Sequence, residues 1–129
     1  MTTVGTTLPP LTIQATPTFV VSTAIATRDF QDVHHDRDAA ITRGSADIFV
    51  NILTDTGLVQ RYVTDWAGPG AFVKNISIRL GVPCYAYDTL EFNGQVTAVE
   101  GEDVTIAVTG KGSLGDHVVG TVRVTGVQP

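Results

Sequence analysis

One cysteine in 129 residues, Cys84, leaves no internal disulfide available, so the chain must be held by its core. That sparing use of thiols fits a reducing compartment. Cys84 follows Val82-Pro83 at a strand bend with no basic neighbour, and is expected to be a packed, inert thiol. Basic residues are few as well: eight Lys and Arg against thirteen Asp and Glu, a net charge of −5. They are dispersed, with no stripe to follow a phosphate backbone, which argues against nucleic acid and against an anionic membrane surface. No apolar run approaches the length of a membrane span. Met1 to Pro10 has neither a basic start nor an apolar centre, so no secretory signal is expected. The expectation is a cytoplasmic globular protein of one domain.

The chain changes period part-way along. Residues 1–10 are rich in Thr, Gly and Pro and are expected to form a flexible lead-in arm, with the folded domain spanning 11–129. Leu11 to Ala15 suits a short strand. Thr16-Pro17 suits an N-cap followed by proline in the first turn, opening a short helix through Phe19, Val20 and Ala24, with a β-rich strand as the alternative. Asp36 to Thr42 suits another helical turn. A longer helix is predicted from about Ser45 to Trp66, because Phe49, Ile52, Leu53, Val59, Tyr62, Val63 and Trp66 recur at threes and fours. Gly68-Pro69-Gly70 ends it.

Beyond that point the alternation is two-fold. Phe72, Ile76, Ile78 and Leu80 share one predicted face. Leu90, Phe92, Val96 and Ala98, then Val104, Ile106 and Val108, then Val122 and Val124, continue the pattern. These are antiparallel strands with one covered and one more polar face, joined by hairpins at Gly101-Glu102-Asp103 and Gly110 to Gly115. One long helix followed by a meander of strands gives an α+β fold, a curved antiparallel sheet wrapped on a helix.

The stretch richest in chemistry is Arg28-Asp29-Phe30-Gln31-Asp32-Val33-His34-His35-Asp36. Asp29 and His34, five residues apart, suit a pair that shares one water: a carboxylate that accepts a proton and an imidazole, the side chain that titrates nearest neutral pH. An aspartate that merely caps a helix and a histidine that merely lies at the surface have the same spacing.

The pattern resembles the MaoC-like hydratase family, which has the hot-dog fold. Three landmarks over about Leu11 to Val127 carry the resemblance. The family motif Asp-x-Asn-Pro-x-His followed by an acid is matched by Asp29 to His34 and then Asp36, with Gln31-Asp32 in place of Asn-Pro. A glycine at the start of the central helix is matched by Gly44. Gly68-Pro69-Gly70, a strand, the bend Leu80-Gly81-Val82-Pro83 and then Asp88-Thr89-Leu90 match the third. Loss of the proline is expected to loosen the turn presenting the pair, and the short His34–Gly44 segment suggests a more open acyl pocket. In these features the chain is similar to the small hydratase subunits of actinobacterial steroid side-chain degradation.

The resemblance implies an enoyl-CoA hydratase. Asp29 and His34 would deprotonate a water that adds to the β-carbon of an α,β-unsaturated acyl-CoA and return a proton to the α-carbon, giving a (3R)-type product by syn addition. It also implies a second MaoC-like subunit in an α2β2 heteromer and a bulky steroid acyl group. No cofactor is expected, because CoA belongs to the substrate. The thioester oxyanion needs a preorganised N–H donor, for which Gly44 is the candidate, a helix-boundary glycine being the alternative. Asn51 is a candidate substrate contact, helix contacts or capping being equally open. Arg43, Lys74 and Arg79 are candidates for the CoA phosphates, or plain surface cations. Two adjacent imidazoles, His34 and His35, diverge, so no metal site is expected. His117, in Gly115-Asp116-His117, is expected to be solvated. A hot-dog thioesterase and a non-catalytic partner subunit are the competing readings. Retention of both Asp29 and His34 counts against each.

Overall fold

In a computed structural model, which describes residues 2–129, the elements run β1 (Thr7–Ala15), α1 (Pro17–Ala26), a 3₁₀ turn (Asp32–His34), α2 (Arg37–Thr42), α3 (Ile52–Ala67), β2 (Phe72–Leu80), β3 (Asp88–Glu100), β4 (Asp103–Gly112) and β5 (Gly115–Thr125). The five strands form one antiparallel sheet in the order β1-β3-β4-β5-β2. Leu90, Phe92, Val96, Ile106, Val118 and Val122 point from it into the core. Against them α3 lays Leu58, Val59, Tyr62, Val63 and Ala67, a stripe at helical spacing. This is the α+β architecture expected from the two periods, and the hot-dog fold that the resemblance implies. Gly94 makes the closest approach possible: a Cβ there would lie 2.8 Å from the Tyr62 ring, which packs across β3.

Three local outcomes differ from the expectations, and one open alternative is decided. Residues 7–10, assigned to a flexible arm, belong to β1, with Thr7 and Leu8 in register with Gln95 and Gly94. Pro9 and Pro10 are tolerated because β1 is an edge strand and the register shifts between Leu8 and Leu11. Met1 lies outside the described residues. Segment 16–26 is a helix, with the Thr16 hydroxyl accepting from Phe19 N at 3.1 Å and Pro17 in the first turn.

The central helix starts at Ile52 and not near Ser45. Segment 47–50 is extended because its backbone is already paired: Val50 N donates to Cys84 O (3.1 Å), Ala86 N to Ile48 O (2.9 Å) and Phe49 N to Val33 O (3.3 Å). Ile52 and Leu53, assigned to the buried stripe, are therefore half exposed at the helix start. On β2 a bulge, with Val73 opposite Val124 but Asn75 opposite Arg123, moves Val73 onto the face of Ile76 and Ile78. Phe72 is left exposed.

Candidate active site

Two helix ends and one turn assemble the site. Helix α1 stops in a Schellman motif: Arg28 N donates to Ile25 O (3.0 Å) and Asp29 N to Ala24 O (2.9 Å), with Arg28 left-handed at φ 60°. A glycine is usual there; an arginine holds the strained position, and the residue it delivers is Asp29. His34 closes the 3₁₀ turn that follows. Its side chain is nearly buried, and its ring meets the Phe49 ring edge to face at 4.8 Å.

The pair meets: His34 Nε2 lies 3.4 Å from Asp29 Oδ2. His34 Nδ1 is 2.8 Å from the Phe49 carbonyl, which can only accept, so Nδ1 carries a proton. In the neutral ring the Nε2 lone pair then faces a carboxylate oxygen. Two acceptors at that distance are satisfied together by a water that gives one hydrogen to each.

Asp29 is held from both sides. Gln31 N donates to its Oδ1 (3.3 Å), and Asn51 Nδ2 donates to its Oδ2 (3.3 Å) as well as to Thr27 Oγ1 (2.9 Å). The Thr54 hydroxyl donates to Asn51 Oδ1. Asn51 is the N-cap residue of α3, yet its side chain makes no capping bond. Asp55 N is the first N–H of that helix to find a carbonyl, Asn51 O at 3.2 Å. Among the described residues, the N–H groups of Ile52, Leu53 and Thr54 meet no acceptor. Open donors at a helix start, backed by the helix dipole, suit an oxyanion next to Asp29.

No protein-family model matches the chain. The 3-oxo-4,17-pregnadiene-20-carboxyl-CoA hydratase beta subunit of Mycobacterium tuberculosis is 66% identical over 125 residues, 97% of either chain. This chain belongs to the MaoC-like enoyl-CoA hydratase family. A chain in the crystal structure of the ChsH1-ChsH2 complex from Mycobacterium tuberculosis superposes on the hydratase with a TM-score of 0.97 at 64% identity, covering 99% of this chain and 100% of that one. The (R)-hydratase from A. caviae involved in PHA biosynthesis shares the fold, with a TM-score of 0.85 at 20% identity over 96% of each chain.

Several residues of the hydratase take other roles than those expected. Gly44 is not at the start of the central helix. It follows α2 as a Schellman glycine at φ 97°, its N–H donating to Ile41 O (3.0 Å) while Ser45 N reaches Ala40 O (2.9 Å). That N–H is already used, so it is not open to an oxyanion, unlike those at the start of α3. Gly44→Ala should cost about 1 kcal/mol of unfolding free energy, the usual penalty of a left-handed alanine, and leave turnover of the folded protein unchanged. A hundredfold loss of kcat at unaltered stability in a urea titration would return the oxyanion role to Gly44.

Asn51 is in the site, but it is buried with both amide atoms engaged by protein, so it positions Asp29 and does not reach toward substrate. Arg43 makes a bidentate pair with Asp32 (2.8 and 3.0 Å), and Lys74 pairs with Asp103 (2.9 Å), so each already has a carboxylate partner within the chain. Arg79, on β2, enters no ion pair among the described residues.

The Asp32–Arg43 pair also answers the missing proline. It ties the 3₁₀ turn to the end of α2, and the turn is closed by His34 N to Gln31 O (3.1 Å) and His35 N to Asp32 O (3.1 Å). The Arg43 guanidinium holds the Asp32 carboxyl below the usual range. The trailing acid of the motif, Asp36, caps α2 through Ala39 N at 3.1 Å. Cys84 is buried, and desolvation first, with Asp88 and Asp55 adding, pushes its thiol up to about 12. His117 is not solvated: it is 2% exposed and paired with Asp55. Thr27, Thr54, Asp55 and the Phe49 carbonyl had no signal as single residues. The packing of α1 against the start of α3 brings Thr27 and Thr54 to Asn51, while the Phe49 carbonyl meets His34 and Asp55 meets His117.

Proposed function

We propose that this chain is the catalytic subunit of a heteromeric hydratase that adds water across the double bond of a bulky steroid enoyl-CoA, Asp29 and His34 sharing the water. The 3.4 Å approach of His34 Nε2 to the Asp29 carboxylate carries the reading. Water held by both acceptors loses a proton to them as its oxygen bonds the β-carbon. Electron density moves from the double bond to the thioester oxygen, which faces the open N–H groups of Ile52 and Leu53. The enolate then collapses, and the acid formed at the pair delivers its proton to the α-carbon. Addition of both groups from one side follows from one water and one acid at a single place, giving syn addition and a (3R)-type product. CoA is part of the substrate, and the steps use no other cofactor.

The steroid acyl group is supported by the 66% identity to the pregnadiene carboxyl-CoA hydratase subunit. It also agrees with the apolar residues beside the pair, Phe30, Ile52 and Leu53, all about half exposed or more. A second MaoC-like chain in an α2β2 assembly is supported by the likeness to a chain of the ChsH1-ChsH2 complex. No helix among the described residues is long and apolar enough to cross a membrane. A CoA substrate and a lone buried thiol support a cytoplasmic location.

A thioesterase would aim its carboxylate at the thioester carbonyl. Here the carboxylate faces an imidazole lone pair, an arrangement suited to splitting water between two bases. Incubation of the complex with an α,β-unsaturated acyl-CoA should yield a product heavier by one water with the thioester intact, read by mass spectrometry. Free CoA thiol as the main product would establish the thioesterase instead.

A further inference from the structure

The first turn of α3 has a second anchor that the water chemistry does not use. Asp55, one turn after Asn51, is fully buried, and its Oδ2 lies 2.8 Å from His117 Nε2. His117 Nδ1 is 2.7 Å from the Val82 carbonyl, so Nδ1 donates there, and a single proton is shared between Nε2 and Asp55 Oδ2. Asp55 Oδ1 is buried with no protein partner. Desolvation pushes the Asp55 carboxyl up, with His117 opposing.

The imidazole reaches this position through a bulge. Gly110 pairs with Val118 and Lys111 with Asp116, leaving His117 as the extra residue of β5. A bulge re-aims one side chain, and this one turns His117 inward onto α3. The His117 carbonyl also accepts from Gly81 N (2.8 Å), and Val82 N donates to Asp116 O (3.0 Å). The turn that carries the open N–H groups is therefore braced toward α1 by Asn51 and toward β5 and residues 81–82 by Asp55–His117.

A buried pair of this kind is seldom the most stabilising filling, since apolar residues of similar volume often do as well or better. What it supplies is direction: two short hydrogen bonds in series fix the helix start along one line. We propose that Asp55 and His117 are positioning residues for hydration, a strut that holds the first turn of α3 so that its N–H groups meet the developing oxyanion. The inference rests on the hydratase reading and adds to it a second pair of residues that touch neither water nor substrate.

The test uses the assembled complex with an α,β-unsaturated acyl-CoA, measuring kcat, KM and urea stability for Asp55→Ala, Asp55→Asn, Asp55→Glu and His117→Phe. Asp55→Asn should stay within about threefold of wild type, because its amide donates to the neutral Nε2 and keeps the line of hydrogen bonds. Asp55→Ala and His117→Phe should lose about a hundredfold in kcat with KM within about twofold, the size seen when an oxyanion donor is lost. Should those two give no folded complex, Asp55→Glu decides. It keeps the charge but lengthens the strut by one methylene, and should lose about tenfold or more in kcat where Asn does not. Wild-type kcat in folded Asp55→Ala, His117→Phe or Asp55→Glu, or an Asn variant as impaired as Ala, would overturn the strut alone. A wild-type complex that does not hydrate the enoyl-CoA would overturn the hydratase reading and the strut with it.

Discussion

Asp29→Asn and His34→Ala should each lower hydration turnover by about a thousandfold in protein that folds normally, the middle of the range for a positioned acid or base. The expectation follows from the way the two groups meet. Each alone leaves the water with one acceptor: the asparagine presents a carboxamide with far less basicity, and the alanine removes the only nitrogen lone pair facing Asp29. Neither change should unfold the chain. Asp29 is at the site's edge with its backbone fixed by the end of α1, and the His34 ring is replaced by a smaller side chain next to Phe49.

The double variant makes the stricter test. Residues that act on one water as a unit are grossly non-additive, so Asp29→Asn/His34→Ala should be little worse than the poorer single variant. Two independent contributions would instead multiply to about a millionfold. Single-turnover absorbance loss of the enoyl thioester reads all three variants on one scale. Near-wild-type rates in either single variant would remove the pair from the chemistry.

The pair was legible because its spacing is local: five residues span the end of one helix and one 3₁₀ turn, and the motif names both ends. The fold class was legible for the same reason, since the change from a period near 3.6 to a period of two survives most local irregularity. The start of α3 was not. Phe49, Ile52 and Leu53 continue the helical spacing backward by accident, whereas segment 47–50 has its N–H and C=O groups taken by residues 33, 84 and 86, partners up to 38 residues away. Placing the helix start too early carried the oxyanion with it to Gly44, a glycine that ends one helix and does not begin another. Bulges hid the rest. One extra residue reverses every later side chain on a strand, which is why Phe72 does not share the face predicted for it with Ile76 and Ile78, and why His117 next to a Gly-Asp hairpin is buried and not solvated.

Expressed alone, the chain should be poorly soluble or at least a hundredfold less active than when co-expressed with a second MaoC-like subunit. Three observations lead there. The sheet has two open edges, β1 and β2, and an unpaired edge is a standing invitation to another strand. On β2, Phe72 at the start of the strand is 66% exposed and Leu80 at its end is 39% exposed, so this edge strand shows an apolar side chain at each end. Following Asp29 and Asn51 in sequence, Phe30, Ile52 and Leu53 are 62%, 48% and 50% exposed, an apolar rim that the described residues leave about half uncovered. A ring-bearing acyl group needs most of its surface buried to bind well, and one wall of that pocket must come from elsewhere. The dependence should therefore be steepest for a large, ring-bearing enoyl-CoA and weaker for a short-chain one, whose reacting carbons need only Asp29, His34 and the start of α3. Light scattering of the purified species fixes the stoichiometry, and turnover of both substrates with and without the partner gives the ratio. A fully active monomer would refute the prediction. An active homodimer would keep the hydratase and dispense with the second subunit.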